Sequence, residues 1–190
     1  MLGKRLQVRC TFGCLRECEC EVDRLKRSNF ESKAMLFLST YQNKVDKKGR
    51  VSVPATFRSA LAKVTPKGEE FSGIIAYASF INHCVEACGI ERIRKLSNRI
   101  ELLDPFSEER DAFATTILGG SQQLSFDGEG RVMLPEALIE VAGITEMAVF
   151  IGKGETFEIW EPRAFAEYAA RARELAREKR LRLRGEGGAS

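Results

Sequence analysis

Val45-Asp-Lys-Lys-Gly-Arg-Val-Ser-Val-Pro54 and Phe126-Asp-Gly-Glu-Gly-Arg-Val-Met-Leu-Pro135 are one pattern written twice. Asp, Gly, Arg, Val and Pro recur in register. The match extends upstream, where Gln42 corresponds to Gln123, and downstream, where the helix-spaced pair Phe57 and Leu61 corresponds to Leu138 and Ala142. An internal repeat constrains architecture more firmly than local propensities do.

Each copy has a direct physical reading. A strand, Tyr41 to Val45 in the first copy and Gln123 to Phe126 in the second, runs into Asp-x-x-Gly. An Asp at the start of a turn accepts hydrogen bonds from the backbone amides that follow. A Gly three residues on tolerates the left-handed conformation that closes a type I turn with a bulge. The chain therefore reverses. Val51 and Val53 then alternate with Arg50 and Ser52, as Val132 and Leu134 alternate with Arg131 and Met133, which is the pattern of a half-buried strand. This alternation turns both arginines away from the core. Pro54 and Pro135 are expected in the first turn of short amphipathic helices that carry Phe57 and Leu61, or Leu138, Val141 and Ala142. Gly143 is placed to end the second helix.

Further strands are expected at Gly73 to Phe80 and Met147 to Ile151. The second of these continues through the turn Gly152-Lys153-Gly154-Glu155 into Thr156 to Trp160. Trp160 reads as a packing residue. Between the copies, Ile93, Leu96, Ile100 and Leu103 recur at helical spacing within Ile90 to Leu103. Asp104-Pro105 marks a break before a second linker helix that runs through Leu118. At the end of the chain Phe165, Tyr168, Ala172 and Leu175 form an apolar stripe that predicts a surface-docked helix, and Arg180, Arg182 and Arg184 read as a solvated tail. The resulting organisation is an N-terminal extension over 1–34, modules at 35–88 and 121–163, a helical linker at 89–120, and a C-terminal helix and tail at 164–190.

Composition narrows the function classes. The chain has 190 residues and is 44% hydrophobic, enough for one substantial core or two small ones. The formal net charge is only +3, from 30 basic and 27 acidic residues, so any phosphate binding must be local. No run approaches the ~18 consecutive apolar residues of a membrane helix, and the N-terminus lacks an apolar signal core, so a cytoplasmic location is expected. Cys10, Cys14, Cys18 and Cys20 crowd into a short basic segment. They could supply thiolates for zinc, but zinc modules usually present two separated pairs, so no metal and no other cofactor is expected.

An enzyme finds little support. His83 is the only histidine. If Ile81 to Val85 is a strand, Cys84 points to the opposite face from His83, so the two cannot act together as nucleophile and base, and both read as packing residues. Gly152-Lys153-Gly154 is a hairpin turn, not a phosphate loop between strand and helix.

Two Asp-x-x-Gly-Arg turns, each followed by an apolar strand and a Pro-started helix, resemble the MraZ family of tandem AbrB-type regulators. Further echoes are Leu38-Ser-Thr-Tyr-Gln-Asn-Lys-Val-Asp46, Met133-Leu-Pro-Glu-Ala-Leu138 and Phe157-Glu-Ile-Trp160. The resemblance covers Met35 to the C-terminal helix. It implies an α+β fold of two AbrB-type swapped-hairpin β modules in tandem, with short helices and a C-terminal helix. It also implies ring-like homo-oligomers and sequence-specific binding to direct repeats in double-stranded DNA, upstream of the family's own cell-division and cell-wall operon. The expected role is a nucleoid-associated regulator, most simply a repressor, with neither a membrane nor a small-molecule substrate as partner. An AbrB-type antitoxin or a protein-interaction module is the competing reading, but a second module stands where an antitoxin would carry its toxin-binding tail.

The family's motif falls on Asp46 with Arg50 and on Asp127 with Arg131. Arginine engages phosphate bidentately or reads guanine O6 and N7, so Arg50 and Arg131 are the leading DNA contacts, with a plain ion pair to the nearby Asp as the alternative. Asp46 and Asp127 read foremost as turn caps that orient the arginine, because a carboxylate near phosphate is repelled. Lys44, Lys47 and Lys48 add sequence-independent phosphate attraction or simply face solvent. The second turn replaces the two lysines with Gly128 and Glu129, so the hairpins are expected to contribute unequally. Met35 opens directly onto the strand-like run Leu36-Phe37-Leu38, as a start residue would. Intact-mass analysis of protein from its native source should therefore find a chain that begins at Met35, and a mass that includes residues 1–34 would refute this.

Overall fold

The computed structural model describes residues 36–64 and 71–179, and it places them in two antiparallel sheets flanked by five α-helices. The cysteine cluster at Cys10 to Cys20 and the basic tail at Arg180, Arg182 and Arg184 lie outside the described residues. Strands β1 (Thr40–Lys44) and β2 (Arg50–Ser52) precede helix α1 (Ala55–Val64), and β3 (Gly73–Ala78) and β4 (Val85–Cys88) follow it. Helices α2 (Ile90–Glu101) and α3 (Glu108–Phe113) and a π-helical turn (Ala114–Gly119) form the linker. The second copy repeats the order with β5 (Gln122–Ser125), β6 (Arg131–Met133), α4 (Glu136–Ala142), β7 (Met147–Gly152) and β8 (Thr156–Trp160), before the closing helix α5 (Pro162–Lys179).

The pairing exchanges strands between the copies. β1 does not form a ladder with β2, and a single bridge between Val45 and Val51 joins the two arms of that hairpin. Instead β1 pairs with β7 of the second copy, and β5 pairs with β3 of the first. β4 and β8 meet in the middle, giving a six-stranded sheet in the order β1-β7-β8-β4-β3-β5. The remaining strands, β2 and β6, make a separate two-stranded ribbon in which Val51 faces Val132, the repeat-equivalent residue. Glu86 likewise faces Glu158 where β4 meets β8. Both seams therefore run through equivalent positions, which is the mark of a pseudo-two-fold within one chain. Both copies fall in one compact unit.

The alternation read from the sequence now has a destination. Val51, Val53, Val132 and Leu134 point inward from the ribbon. With Phe57, Leu61 and Leu138 they meet Ile74, Ala76, Val85, Ala87, Leu124, Ala148, Phe150, Phe157 and Ile159 from one face of the six-stranded sheet. Phe37, Phe57 and Phe157 form an aromatic triangle with ring centroids 4.8 to 5.2 Å apart, mostly edge to face. The other sheet face is covered in two patches. Ile75, Tyr77 and Cys88 pack under α2 and the π-helical turn, and Cys84, Val149 and Trp160 pack under Phe165 and Tyr168 of α5. Trp160 is indeed a packing residue. It stacks on Tyr168 at 4.7 Å and donates its indole N–H to Glu158 Oε2 at 2.8 Å.

Several local expectations shift. The first strands of the two copies begin and end one residue earlier than read, at Thr40–Lys44 and Gln122–Ser125. Pro135 stands just outside α4, with extended ψ, as its N-cap. Gly143 closes that helix in the left-handed conformation at φ 63°, as expected. Ile81 to Cys84 is a bend, not a strand, because the chain must turn between β3 and β4, so Phe80 and Ile81 are left exposed. Cys84 is buried, but His83 is exposed and does not pack. Val141 and Leu175 also face solvent, since α4 and α5 bury narrower stripes than their sequences offer. The second linker helix runs through Leu118 as expected, but changes from α to π pitch at Ala114. Phe157→Ala removes the ring that touches Phe37, Phe57 and Phe150, and should cost about 3–5 kcal/mol of unfolding free energy in urea titrations at fixed protein concentration. A loss under about 1 kcal/mol would mean that the core is not shared as described.

Candidate nucleic-acid interface

The two Asp-x-x-Gly-Arg turns have the same hydrogen bonds. Asp46 Oδ1 accepts from the backbone N–H of Lys48 at 2.8 Å and of Arg50 at 2.9 Å. Asp127 Oδ1 accepts from Glu129 at 2.9 Å and Arg131 at 3.0 Å. Behind each cap the backbone closes on itself, Gly49 N to Asp46 O and Gly130 N to Asp127 O, both at 2.9 Å. Gly49 and Gly130 hold φ at 75° and 73°, the left-handed region the turn requires. The aspartates are thus turn caps, as the chemistry of the motif implies.

The second carboxylate oxygen aims the arginine. Arg50 Nε donates to Asp46 Oδ2 at 2.7 Å, and Arg131 Nε donates to Asp127 Oδ2 at 2.8 Å. The ion pair that stood as the alternative to DNA contact is therefore present in both turns. It does not exhaust the guanidinium. Nε lies on one edge of the planar group, and the terminal nitrogens of Arg50 have no partner among the described residues. A two-point anchor on a short, capped loop removes rotamer freedom before any ligand arrives. Both ion pairs are solvent-exposed, so they add little to stability and act mainly on orientation.

The ribbon then sets the two arginines side by side. Arg50 is opposite Met133 and Arg131 is opposite Ser52, so all four side chains leave the same outward face while Val51 and Val132 point into the core. Arg50 and Arg131 are diagonal neighbours, about 7–8 Å apart at the backbone. Each turn is also tied to the other copy: the N–H of Leu134 donates to Gly49 O at 2.9 Å, and that of Val53 donates to Gly130 O at 3.2 Å. Lys47 and Lys48 stand exposed at the first turn, and Lys44 is exposed at the adjacent end of β1. The structure thus brings Asp46, Lys47, Lys48, Arg50, Asp127 and Arg131 to the ribbon and its two turns, while Lys44 lies on the large sheet beside the first turn.

Met133 was legible only as a strand residue. Its 63% exposure on the ribbon's outer face makes it an apolar contact point beside Arg50. Arg58 carried no signal in the sequence. It donates from Nε to Val53 O at 3.2 Å, and its guanidinium lies so close to Gly130 that any side chain there would collide with it. In the other half Ile139 occupies the corresponding place against Gly49.

Charge and hydrogen bonding shift the acids in one direction. The backbone N–H of Arg50 is the chief cause of a lowered pKa at Asp46. At Asp127 the backbone N–H and then the side chain of Arg131 hold the carboxyl at about 2. Arg131 is correspondingly held further in its charged form, chiefly by its hydrogen bond to Asp127. Among the described residues no group of side chains could hold a metal ion, and no helix is long and apolar enough to cross a membrane.

A family model described as "MraZ protein, putative antitoxin-like" matches residues 117–185. A transcriptional regulator MraZ of Rickettsia africae (strain ESF-5) is 58% identical over 149 residues, covering 78% of this chain and 97% of the relative. One from Rickettsia bellii (strain OSU 85-389) is 58% identical over 150 residues with the same coverage, and one from Rickettsia rickettsii (strain Sheila Smith) is 57% identical over 149.

A depressed carboxyl pKa contributes stability above the unfolded value and loses it as pH falls through the folded one. The Asp127 cap should therefore survive acidification past 3.8 and release only near pH 2. Carboxyl-carbon NMR titration of Asp127 should show a midpoint near 2, and a midpoint at 3.8 would mean that the bonds drawn above do not persist in solution.

Proposed function

Since the chain belongs to the MraZ family, whose relatives are named transcriptional regulators, we propose that it regulates transcription by laying the outer face of the β2–β6 ribbon against double-stranded DNA. The observation that carries this reading is the pair of Asp-anchored arginines, one from each copy, presented side by side on a solvent-facing ribbon. A two-stranded ribbon fits the major groove, which is about 12 Å wide, and arginine terminal nitrogens match guanine O6 and N7. Arg50 is the base-reading group, and Arg131, paired with both Asp127 and Glu129, is presented beside it. Lys44, Lys47 and Lys48 contribute phosphate attraction, and Asp46 and Asp127 position the arginines without touching DNA.

One ribbon offers few contacts, whereas specific DNA binders typically reach 10⁻⁸ to 10⁻¹¹ M. Several chains on successive direct repeats, joined in a ring-like homo-oligomer, would supply the missing affinity through effective concentration. Binding to repeats ahead of its own cell-division and cell-wall operon, with repression as the outcome, completes the reading. It implies a cytoplasmic, nucleoid-associated protein that needs no cofactor.

The test is a salt-dependent DNA-shift titration on the region upstream of its own gene. Arg50→Ala should weaken specific binding by about 5-fold to 150-fold and relax base preference at one position. Lys48→Ala should instead weaken all sequences alike and lower the salt slope by about 0.9. Specific binding unchanged by Arg50→Ala would move the interface off the ribbon. No DNA binding by the wild type would favour the protein-interaction reading.

A further inference from the structure

The two turns share a backbone but not a charge. At the repeat offset of 81 positions, Lys44 becomes Ser125, Lys47 becomes Gly128 and Lys48 becomes Glu129. Asp46, Lys47, Lys48 and Arg50 leave the first turn net positive by two charges, while Asp127, Glu129 and Arg131 leave the second net negative by one. Counting Arg58, which lies against Gly130, brings the second turn only to neutrality.

The geometry sharpens this difference. Glu129 Oε2 takes Arg131 Nη1 at 2.6 Å while Asp127 holds Nε, so carboxylates occupy two edges of the same guanidinium. Arg50 has Asp46 on Nε alone, with Lys48 standing where Glu129 stands in the other copy. To engage a guanine edge or a phosphate bidentately, Arg131 must shed Glu129 or carry a carboxylate to within a few ångströms of the DNA backbone. Glu129 is 71% exposed, so fold stability does not require it there.

We infer that Glu129 is an internal competitor for DNA, and that the ribbon reads sequence mainly through Arg50 while Arg131 is held in reserve. The pseudo-symmetric ribbon thus makes an asymmetric contact. Each chain specifies a short, non-palindromic element through its first copy, and the second copy serves to position the ribbon. This inference rests on the DNA-binding role proposed above. The ligand chemistry is a duplex major groove with a guanine under Arg50 and a phosphate within reach of Lys47 or Lys48.

Five proteins decide it in the same shift titration: wild type, Arg50→Ala, Arg131→Ala, Glu129→Gln, and the double variant Glu129→Gln with Arg131→Ala. Glu129→Gln is a surface change that keeps the side chain's shape, so folding is not at issue. It should tighten binding by about fivefold or more and steepen the salt slope by about 0.9 as Arg131 is released. Arg131→Ala alone should stay close to wild type, far from the loss at Arg50→Ala, and should abolish the gain when combined with Glu129→Gln. Equal losses from Arg50→Ala and Arg131→Ala, or no gain from Glu129→Gln, overturn the inference while leaving the DNA-binding role intact. A wild type that binds no duplex removes that role, and this inference with it.

Discussion

The pairing of Val51 with Val132 is the constraint on which the rest depends. β2 and β6 have three residues each and, among the described residues, form a ladder only with each other. Their inward valines, fully or almost fully buried, close the core over the large sheet, and their outward residues become the candidate interface. The same pairing goes with the exchange of first strands. Once β2 lies against β6, β1 reaches β7 and β5 reaches β3, and one core has to serve both copies. The joined sheet and shared core then bury surface that two separate modules of this size would leave open, since small cores bury a lower fraction of their surface.

Function and fold draw on the same residues without conflict because a strand separates them by face. Val51 and Val132 stabilise; Arg50, Ser52, Arg131 and Met133, on the other side of the same three-residue strands, do not need to. Substitutions on the outer face therefore change electrostatics at little cost in stability. The pseudo-two-fold constrains backbone positions and core volumes. It places no condition on exposed charge, and that freedom lets Lys48 and Glu129 occupy equivalent places.

Much of the candidate site was legible because its decisive interactions are local. Asp46 to Lys48, Gly49 and Arg50 are bonds within four residues, so the turn, its glycine and its capped arginine follow from the motif. The helix stop at Gly143 and the strand Thr156–Trp160 were readable for the same reason. Where partners are distant, the reading fell short. A period of two says that Val51 is half-buried, but not that it meets Val132 on a distant strand, because alternation specifies a face and leaves the neighbour open. Arg58 was invisible, since only the exchange brings α1 against the second turn. The spacing of His83 fits a packing residue only on a strand, and the β3–β4 connection bends there and leaves it exposed.

By itself, then, the sequence determined the two capped turns, the repeat that relates them, the inward valines, the outward arginines and the inequality of charge between the copies. All of these are properties of short segments or of composition at equivalent positions. Only the tertiary structure decided that Arg50 and Arg131 share one face, that Met133 and Ser52 lie beside them, and that Glu129 reaches Arg131 Nη1. The first two of these relations join residues about eighty positions apart, and strand pairing there is selected by the packing of a whole core against solvent, which no local pattern encodes.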